Sequence, residues 1–446
     1  MQKANAGSNR NTINIGILGL GKVGSGTVNV LNENYDDILR RTGFDIIIKK
    51  AAVHNLEKPR ICSTEGITIT NDAYDVINDP EIDIIVELIG GIELPKQYIL
   101  EAISQEKHII TANKALIATH GNEIFSYAQD KNVIIAFEAA VGGGIPIIKI
   151  LREGLAANKI KSVMGILNGT GNFILTKMYN EGITFIDALN LAQKLGYAES
   201  DPTMDISGVD TAHKLTILSS IAFGMPLRYS DIYIEGISEI KPLDLLCAKE
   251  MGYTIKHIAY AEKNHINIEL FVYPILINNT HPLAKIDGVT NAIAINANAI
   301  GDSFYHGAGA GSAATASSVI ADLIDIIRGM DTAPQNRVSS FSFQPTSLIN
   351  FDLNSIENLQ FSYYISFTIK DTSLDITKNI EGIAANHCIK LFKLKKMPCL
   401  IDIDHSSWII ITHQTSKKMI DLFLLELQTI YANDRIVKLR IWDDTF

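Results

Sequence analysis

Ile13-Asn14-Ile15-Gly16-Ile17-Leu18-Gly19-Leu20-Gly21-Lys22-Val23-Gly24 is the stretch that decides the fold. A short apolar run stops at a glycine, Gly19 to Gly24 reads GxGxxG, and a helical pattern follows from Gly24 to about Arg41, ending at Gly43. GxGxxG alone is a weak signal, and a glycine-rich turn without a ligand is the bland alternative. Here a buried-type strand precedes it and a helix follows, the context a dinucleotide site requires. The glycines allow a tight turn and close approach of pyrophosphate, and the helix start offers free N–H groups with partial positive charge.

Further strand patterns follow at Asp45–Val53, Ile82–Ile89, His108–Thr111 and Val133–Phe137, with helical stretches between them. Apolar strands alternating with helices predict an α/β protein with a Rossmann-type doubly wound parallel sheet. Gly19, Gly21, Lys22, Val23 and Gly24 are the expected cofactor turn. Gly90, Thr111 and Lys114 end later strands, at the sheet edge where ligands gather. No acidic residue sits at the second strand end, Val53-His54-Asn55, although Glu57 follows shortly after. An acid there would take the ribose hydroxyls of NAD, whereas His54, Lys58 and Arg60 could meet a 2′-phosphate. The reading leans to NADPH, with NADH or dual use open, and a solvated loop remains the alternative.

The middle of the chain is mixed. Helical patterns appear at 146–156, 172–180, 185–195 and 208–223, and Ile266–Val272 is strand-like. Gly307–Gly311 precedes a helix at about 315–328. Residues 331–359, with Pro334 and Pro345 among serines, read as a linker. Beyond them, a strand–helix–strand order with an extra strand predicts a compact ferredoxin-like unit. The expected division is 1–137 for dinucleotide binding, 138–314 for substrate, catalysis and dimerisation, and 360–446 as a third domain. The helix at 315–330 is expected to pack back on the first.

A formal charge of −10 over 446 residues gives no reason to expect nucleic-acid binding. The four cysteines form no CxxC pair, which leaves no zinc ribbon or thioredoxin motif. The polar start, Met1 to Thr12, lacks the apolar core of a signal peptide. No apolar run is long enough for a membrane helix. The expectation is a cytoplasmic protein without membrane contact.

Two stretches dense in glycine and small polar residues stand out between helical segments: Phe137–Pro146, and the one running from Gly165–Phe173 to Gly196–Thr203. Such loops host ligands because backbone groups can approach closely. Ser207-Gly208-Val209-Asp210-Thr211-Ala212-His213-Lys214 follows, with Ser207 read as a helix N-cap and Gly224 and Pro226 as the stop. Asp210 and Lys214, four apart, share a helix face. On spacing alone, that is an ordinary surface ion pair worth little.

In order, spacing and identity these runs resemble the homoserine dehydrogenase family. The resemblance rests on Gly19–Gly24, Asn113–Leu116, Phe137–Pro146, Leu151–Asn158, Gly165–Asn172, Gly196–Thr203 and Gly208–Lys214, and covers roughly residues 13 to 330. It implies reduction of L-aspartate 4-semialdehyde to L-homoserine by hydride transfer from NADPH or NADH, in threonine, methionine and isoleucine biosynthesis. Lys214 is then the favoured acid/base, and Lys114 a second catalytic or oxygen-polarising lysine. Glu199 and Asp210 hold the substrate ammonium, with Asp210 also orienting the lysine. Thr170 and Tyr197 add hydrogen bonds, and Gly311 joins the cofactor-side loop. The resemblance also implies a monovalent cation, Na+, held mainly by backbone carbonyls around Glu138, Val141 and Gly143. A homodimer or homotetramer is implied.

Some residues depart from the family pattern. Gly171 stands where a second threonine is usual, Ser200 where alanine is, and Ala308 and Ala314 where prolines are. Residues 360–446 resemble an ACT domain on element order, Tyr363-Tyr364 and Thr412–Ser416. The usual proline–glycine turn reads Asp371-Thr372-Ser373-Leu374-Asp375 here. Threonine as an effector and a purely structural or dimer-forming module therefore stay open together. With no kinase region ahead of the dehydrogenase, a monofunctional enzyme is expected. A different small-carbonyl Rossmann dehydrogenase is the runner-up, although no cysteine nucleophile lies in the central loops. A catalytically dead amino-acid sensor is the third reading, opposed by the retained Lys114, Glu199, Asp210 and Lys214.

Overall fold

The computed structural model describes residues 12–265, 267–357, 359–370, 375–398, 405–431 and 436–442. Residues 371–374 of the C-terminal turn and Cys399 lie outside the described residues. The chain forms two units. One comprises residues through Ile160, His213–Ser230 and Ala297–Asn350, and the other Lys161–Ala212, Asp231–Asn296 and everything from Phe351 onward.

In the first unit, β1 (Thr12–Leu18), β2 (Asp45–Ala52), β3 (Thr68–Thr70), β4 (Ile84–Glu87), β5 (His108–Thr111) and β6 (Ile135–Ala136) form a parallel sheet. Its order is β3-β2-β1-β4-β5-β6. This is the doubly wound arrangement, and its strand order reverses between β1 and β4. The crossover helices are α1 (Lys22–Glu33) with α2 (Tyr35–Thr42), then α3 (Ala73–Ile77), α4 (Glu93–Ser104) and α5 (Lys114–Asp130). Ile13, Ile15, Ile17, Ile84, Val86 and Ile110 are buried in one core with Val28 and Leu31 of α1. Val319, Leu323, Ile326 and Ile327 of α12 (Ser312–Gly329) enter the same core. Each such side chain contributes about 1.5–3 kcal/mol by burial. The helix pattern at 315–328 thus belongs, in space, with strands from the first quarter of the chain. The segment read as a helix at 146–156 is a short α6 (Ile147–Lys149) running into a π-helical turn, Ile150–Gly154.

His108 opens β5, and its Nδ1 accepts from the Ile134 amide at 3.0 Å. Burial, then the charge of Arg337, pulls its pKa from 6.5 down to about 4. The folded ring stays neutral while the unfolded chain takes up a proton near 6.5. Its contribution is therefore present above pH 6.5 and is lost as pH falls toward 4, up to about 3 kcal/mol. In His108→Asn the amide oxygen replaces Nδ1 as acceptor and cannot titrate. The drop in melting temperature between pH 6.5 and 4 is expected to shrink in that variant. An unchanged drop in a thermal melt series would exclude His108 as its source.

The second unit holds a mixed sheet ordered β11-β7-β9-β10-β18-β14-β16-β15. Its strands are β7 (Ile160–Ile166), β9 (Tyr253–Asn264), β10 (Asn267–Asn278), β11 (Thr290–Ala297), β14 (Gln360–Lys370), β15 (Leu391–Pro398), β16 (His405–Thr412) and β18 (Val437–Ile441). Short strands β8 (Tyr233–Ile234) and β13 (Asp352–Leu353) pair with β10, and β17 (Thr415–Ser416) with β14. The helices are α7 (Gly169–Glu181), α8 (Phe185–Lys194), α9 (Thr203–Ile206), α11 (Pro242–Glu250), α13 (Ile376–Asn386) and α14 (Lys417–Tyr431). Helix α10 (Val209–Phe223) contributes residues to both units.

From β14 onward, leaving aside the two-residue β17, the order is β-α-β-β-α-β, and the strands lie β18-β14-β16-β15, a split β-α-β arrangement. Along β14, Tyr363, Ile365, Phe367 and Ile369 face a core shared with α13 and α14, while Tyr364 joins Ile255, Leu276 and Leu245. Period-two alternation explains how one strand serves two cores. β18 runs parallel to β10, with Arg440 opposite Ile275, so the C-terminal strands continue the sheet of the middle segment. Phe341 and Phe351, in the stretch read as a linker, are buried.

Candidate active site

Gly19 leaves β1 at φ 100°, and a Cβ there would lie 2.8 Å from the carbonyl oxygen of Leu88, just past β4. The glycine turn therefore sits where the strand order reverses. A Cβ on Gly24 would come 2.1 Å from the Gly19 carbonyl oxygen. Gly21 has nothing within 4 Å of its Cβ position, and both it and Lys22 are exposed, while Val23 packs against the core. Helix α1 has no side-chain cap at Gly21. Its first N–H groups are left for an anion, which fits a pyrophosphate.

Neighbouring segments close around the same edge. Ser312 donates from Oγ to the Lys22 carbonyl at 2.6 Å, setting Gly311 (φ 125°) beside the turn. Glu87, fully buried, accepts from Thr111 Oγ1 at 2.7 Å and from the Ile89 amide at 2.8 Å. Thr111, read from sequence as a cofactor-side residue, has its hydroxyl engaged with Glu87, which also holds the Ile89 and Gly90 amides. Asn113 caps α5 at the Leu116 amide and donates to the Gly91 carbonyl at 2.8 Å. Lys114 follows, partly buried, as the first residue of α5. A cation at a helix N-terminus opposes the dipole by about 0.3–1 kcal/mol, so packing alone does not favour a lysine there. His54 and Lys58 are exposed beyond β2, and Arg60 folds onto the Asn55 carbonyl.

In the second unit, Asn168 caps α7 by accepting from the Gly171 amide at 2.7 Å. Its Nδ2 donates to Asp210 Oδ2 at 2.8 Å and to Asp205 at 2.7 Å. On α10, which contributes residues to both units, Asp210 and Lys214 are 6% and 9% exposed, which removes the surface-ion-pair reading. Thr170 Oγ1 donates to the Tyr197 carbonyl at 2.7 Å, and the Tyr197 ring meets Phe173 edge-on. Gln193 donates to the Glu199 carbonyl at 3.1 Å, and Asp201 accepts from Thr203. The loop bearing the exposed Glu199 is therefore braced at both ends. Ser207 is not the cap of α10. It ends α9, its Oγ has no partner among the described residues, and Gly208 turns the chain at φ 92° before the helix begins at Val209. Asn168 was not singled out from sequence, although Asn before Gly-Thr-Gly is a helix-start signal.

Glu138 is buried, and its carboxylate accepts from the amides of Ile148 and Lys149 at 2.9 and 2.8 Å. These bonds set the entry to α6. Burial, which outweighs them, lifts its pKa to about 7. The Glu138 carbonyl accepts from Val141 N at 3.3 Å and that of Gly143 from Ser318 Oγ at 2.5 Å. Each keeps a second lone pair. Among the described residues no cluster of three His, Cys, Asp or Glu side chains could hold a metal.

Sheet order, glycine turn and uncapped α1 define a protein with a Rossmann-type dinucleotide-binding unit. The model for "Homoserine dehydrogenase, NAD binding domain" matches residues 19–138, and that for "Homoserine dehydrogenase" residues 146–324. The chain is 44% identical to a homoserine dehydrogenase of Pseudomonas aeruginosa, covering 96% of this chain and 98% of the relative. It superposes on a crystal structure of a homoserine dehydrogenase from Thiobacillus denitrificans with TM-score 0.89 and 43% identity, over 97% of this chain and 99% of that one. A hyperthermophilic archaeal homoserine dehydrogenase in complex with NADPH matches at TM-score 0.58 and 26% identity, over 70% of this chain and 97% of that one. The chain belongs to the homoserine dehydrogenase family. Its activity is NAD(P)-dependent interconversion of L-aspartate 4-semialdehyde and L-homoserine. Among the described residues no helix is long and apolar enough to cross a membrane.

Proposed function

We propose that Lys214 is the acid/base of this reaction and that Lys114 polarises the substrate oxygen. The observation that carries the reading is the buried Asp210–Lys214 spacing on α10, with the Asp210 carboxylate anchored by Asn168. A bound nicotinamide supplies or accepts the hydride. As the aldehyde carbon is reduced, negative charge grows on its oxygen. Lys214 gives that oxygen a proton, and Lys114 stabilises the charge beforehand. Glu199 and Asp210 hold the substrate ammonium, which carries the opposite charge. Thr170 and Tyr197 add hydrogen bonds and keep the Glu199 loop in register.

Gly19, Gly21, Lys22, Val23 and Gly24 receive the pyrophosphate, with Gly90, Thr111, Lys114 and Gly311 around it. The exposed His54 and Lys58, with no acid at the strand end, support NADPH over NADH. Na+ is proposed at the carbonyls of Glu138, Val141 and Gly143, in a structural role. Residues 1–137 and the helix at 315–330 serve the cofactor, 138–314 serve substrate and dimerisation, and 331–359 lead to an ACT-like segment at 360–446. Threonine is its proposed effector, and a homodimer or homotetramer the proposed assembly. The proposed location is cytoplasmic.

One set of turnover assays with aspartate semialdehyde separates these assignments. NADPH is compared with NADH, sodium with a bulky organic cation, and threonine with none. Higher kcat/KM with NADPH, loss of stability without sodium, and inhibition by threonine are expected. Equal use of both cofactors would remove the role of His54 and Lys58. Indifference to threonine would leave the C-terminal segment structural or dimer-forming.

A further inference from the structure

We infer that His257 is a positioning residue for the reaction, holding the opening turns of α7 and α10 in register from behind. The inference rests on the reading of Asp210 as a substrate ligand. His257 lies on β9, 4% exposed, and is not itself assigned a chemical role. Its Nε2 donates to the Glu235 carbonyl at 2.9 Å, while Nδ1 has no partner among the described residues. Burial drops its pKa to about 4, so the ring is neutral and carries its one hydrogen on Nε2.

The ring lies against two turns at once. A Cβ on Gly208 would be 3.1 Å from its Cε1, and one on Gly171 would be 4.0 Å from its Nδ1. Gly208 precedes α10, which carries Asp210, and Gly171 lies in the first turn of α7, capped by Asn168. The Asn168–Asp210 hydrogen bond joins the same two turns on the side of the assigned site. His257 fixes how they lean toward one another.

What holds His257 is itself built. The Ile237 amide bonds the Ile206 carbonyl at 2.9 Å and the Glu235 amide the Val272 carbonyl at 2.8 Å, so the Glu235 carbonyl has little freedom. The Glu235 carboxylate pairs with Arg440 at 2.8 and 3.2 Å. Burial alone would lift the Glu235 pKa, but the guanidinium overrides it and holds the carboxyl below its ordinary range. Arg440 is 1% exposed and lies 3.9 Å from the Tyr273 ring centre. A buried ion pair of this kind is weak evidence for stability, and fixed geometry is the better-supported use. Arg440 stands on β18, so the last strand reaches the substrate turns through Glu235 and His257.

The test compares His257→Leu, His257→Gln and Asp210→Asn by steady-state kinetics on both substrates, with thermal melts. Leu removes the Nε2 donor, whereas the Gln amide nitrogen replaces it at similar reach. His257→Leu is expected to raise the homoserine KM about tenfold and leave the cofactor KM within about twofold. His257→Gln is expected to recover most of that loss. A lower melting temperature with an unchanged homoserine KM in both His257 variants would overturn the inference, provided Asp210→Asn raises that KM. An unchanged KM in Asp210→Asn would instead overturn the substrate reading itself. If His257→Leu does not fold, Arg440→Lys, which loses the two-pronged pair, is expected to raise the homoserine KM about threefold. No rise there would overturn the inference equally.

Discussion

Lys214→Met is expected to lower kcat about a thousandfold in both directions while the NADPH dissociation constant stays within about twofold. Methionine keeps helix propensity and fits a side chain that is only 9% exposed, so the fold should survive. What disappears is the proton for the alkoxide on reduction, and its acceptor on oxidation. A positioned acid or base typically contributes about 10²–10⁴ in rate, so a tenfold loss would be too small for the role. Stopped-flow absorbance of NADPH gives rate and binding together. If kcat falls by less than about tenfold, Lys214 is structural and another group moves the proton.

Gly24→Val is expected to weaken NADPH binding by at least about a hundredfold, or roughly 2.7 kcal/mol. The added Cβ would meet the Gly19 carbonyl oxygen at 2.1 Å, so α1 must move off β1. Its uncapped N–H groups move with it. Gly21→Ala is the informative contrast, since its Cβ meets nothing within 4 Å in the protein. That variant should keep its melting temperature yet bind NADPH more weakly, because the methyl occupies space the pyrophosphate needs. Isothermal titration alongside thermal melting separates the two glycines. Normal NADPH affinity in both variants would show that the turn does not contact the cofactor.

The readability of the chain depended on the range of each interaction. Gly19 to Gly24 could be read because turn, strand end and helix start lie within a dozen residues. The parallel sheet followed from the same local patterns repeated. β18 beside β10 could not be read, because no local pattern encodes a pairing of Arg440 with Ile275. The π-helical turn at Ile150–Gly154 was likewise hidden inside an ordinary helical pattern. It follows an entry set by Glu138, more than ten residues upstream, whose carboxylate holds the Ile148 and Lys149 amides.

At the site, spacing made Asp210 and Lys214 partners but could not say that both are buried. Burial is what turns an ordinary i,i+4 pair into a candidate for chemistry. Ser207 has the side chain of a cap, yet Gly208 intervenes with a left-handed turn, so local preference lost to chain direction. His257 gave no signal, because it sits beside Lys256 in a strand that mixes polar and apolar residues and belongs to no motif. Its meaning comes from Glu235, Gly208 and Gly171, which only the fold brings to it.

The most direct measurement is a crystal structure of the full chain with NADPH and homoserine bound. The expected result places the homoserine hydroxyl within about 2.7–3.2 Å of the Lys214 Nζ, with Lys114 near the same oxygen and the ammonium on Glu199 and Asp210. A hydroxyl turned away from both lysines, or an ammonium held by other groups, would contradict the assignment of acid, polariser and substrate grip together.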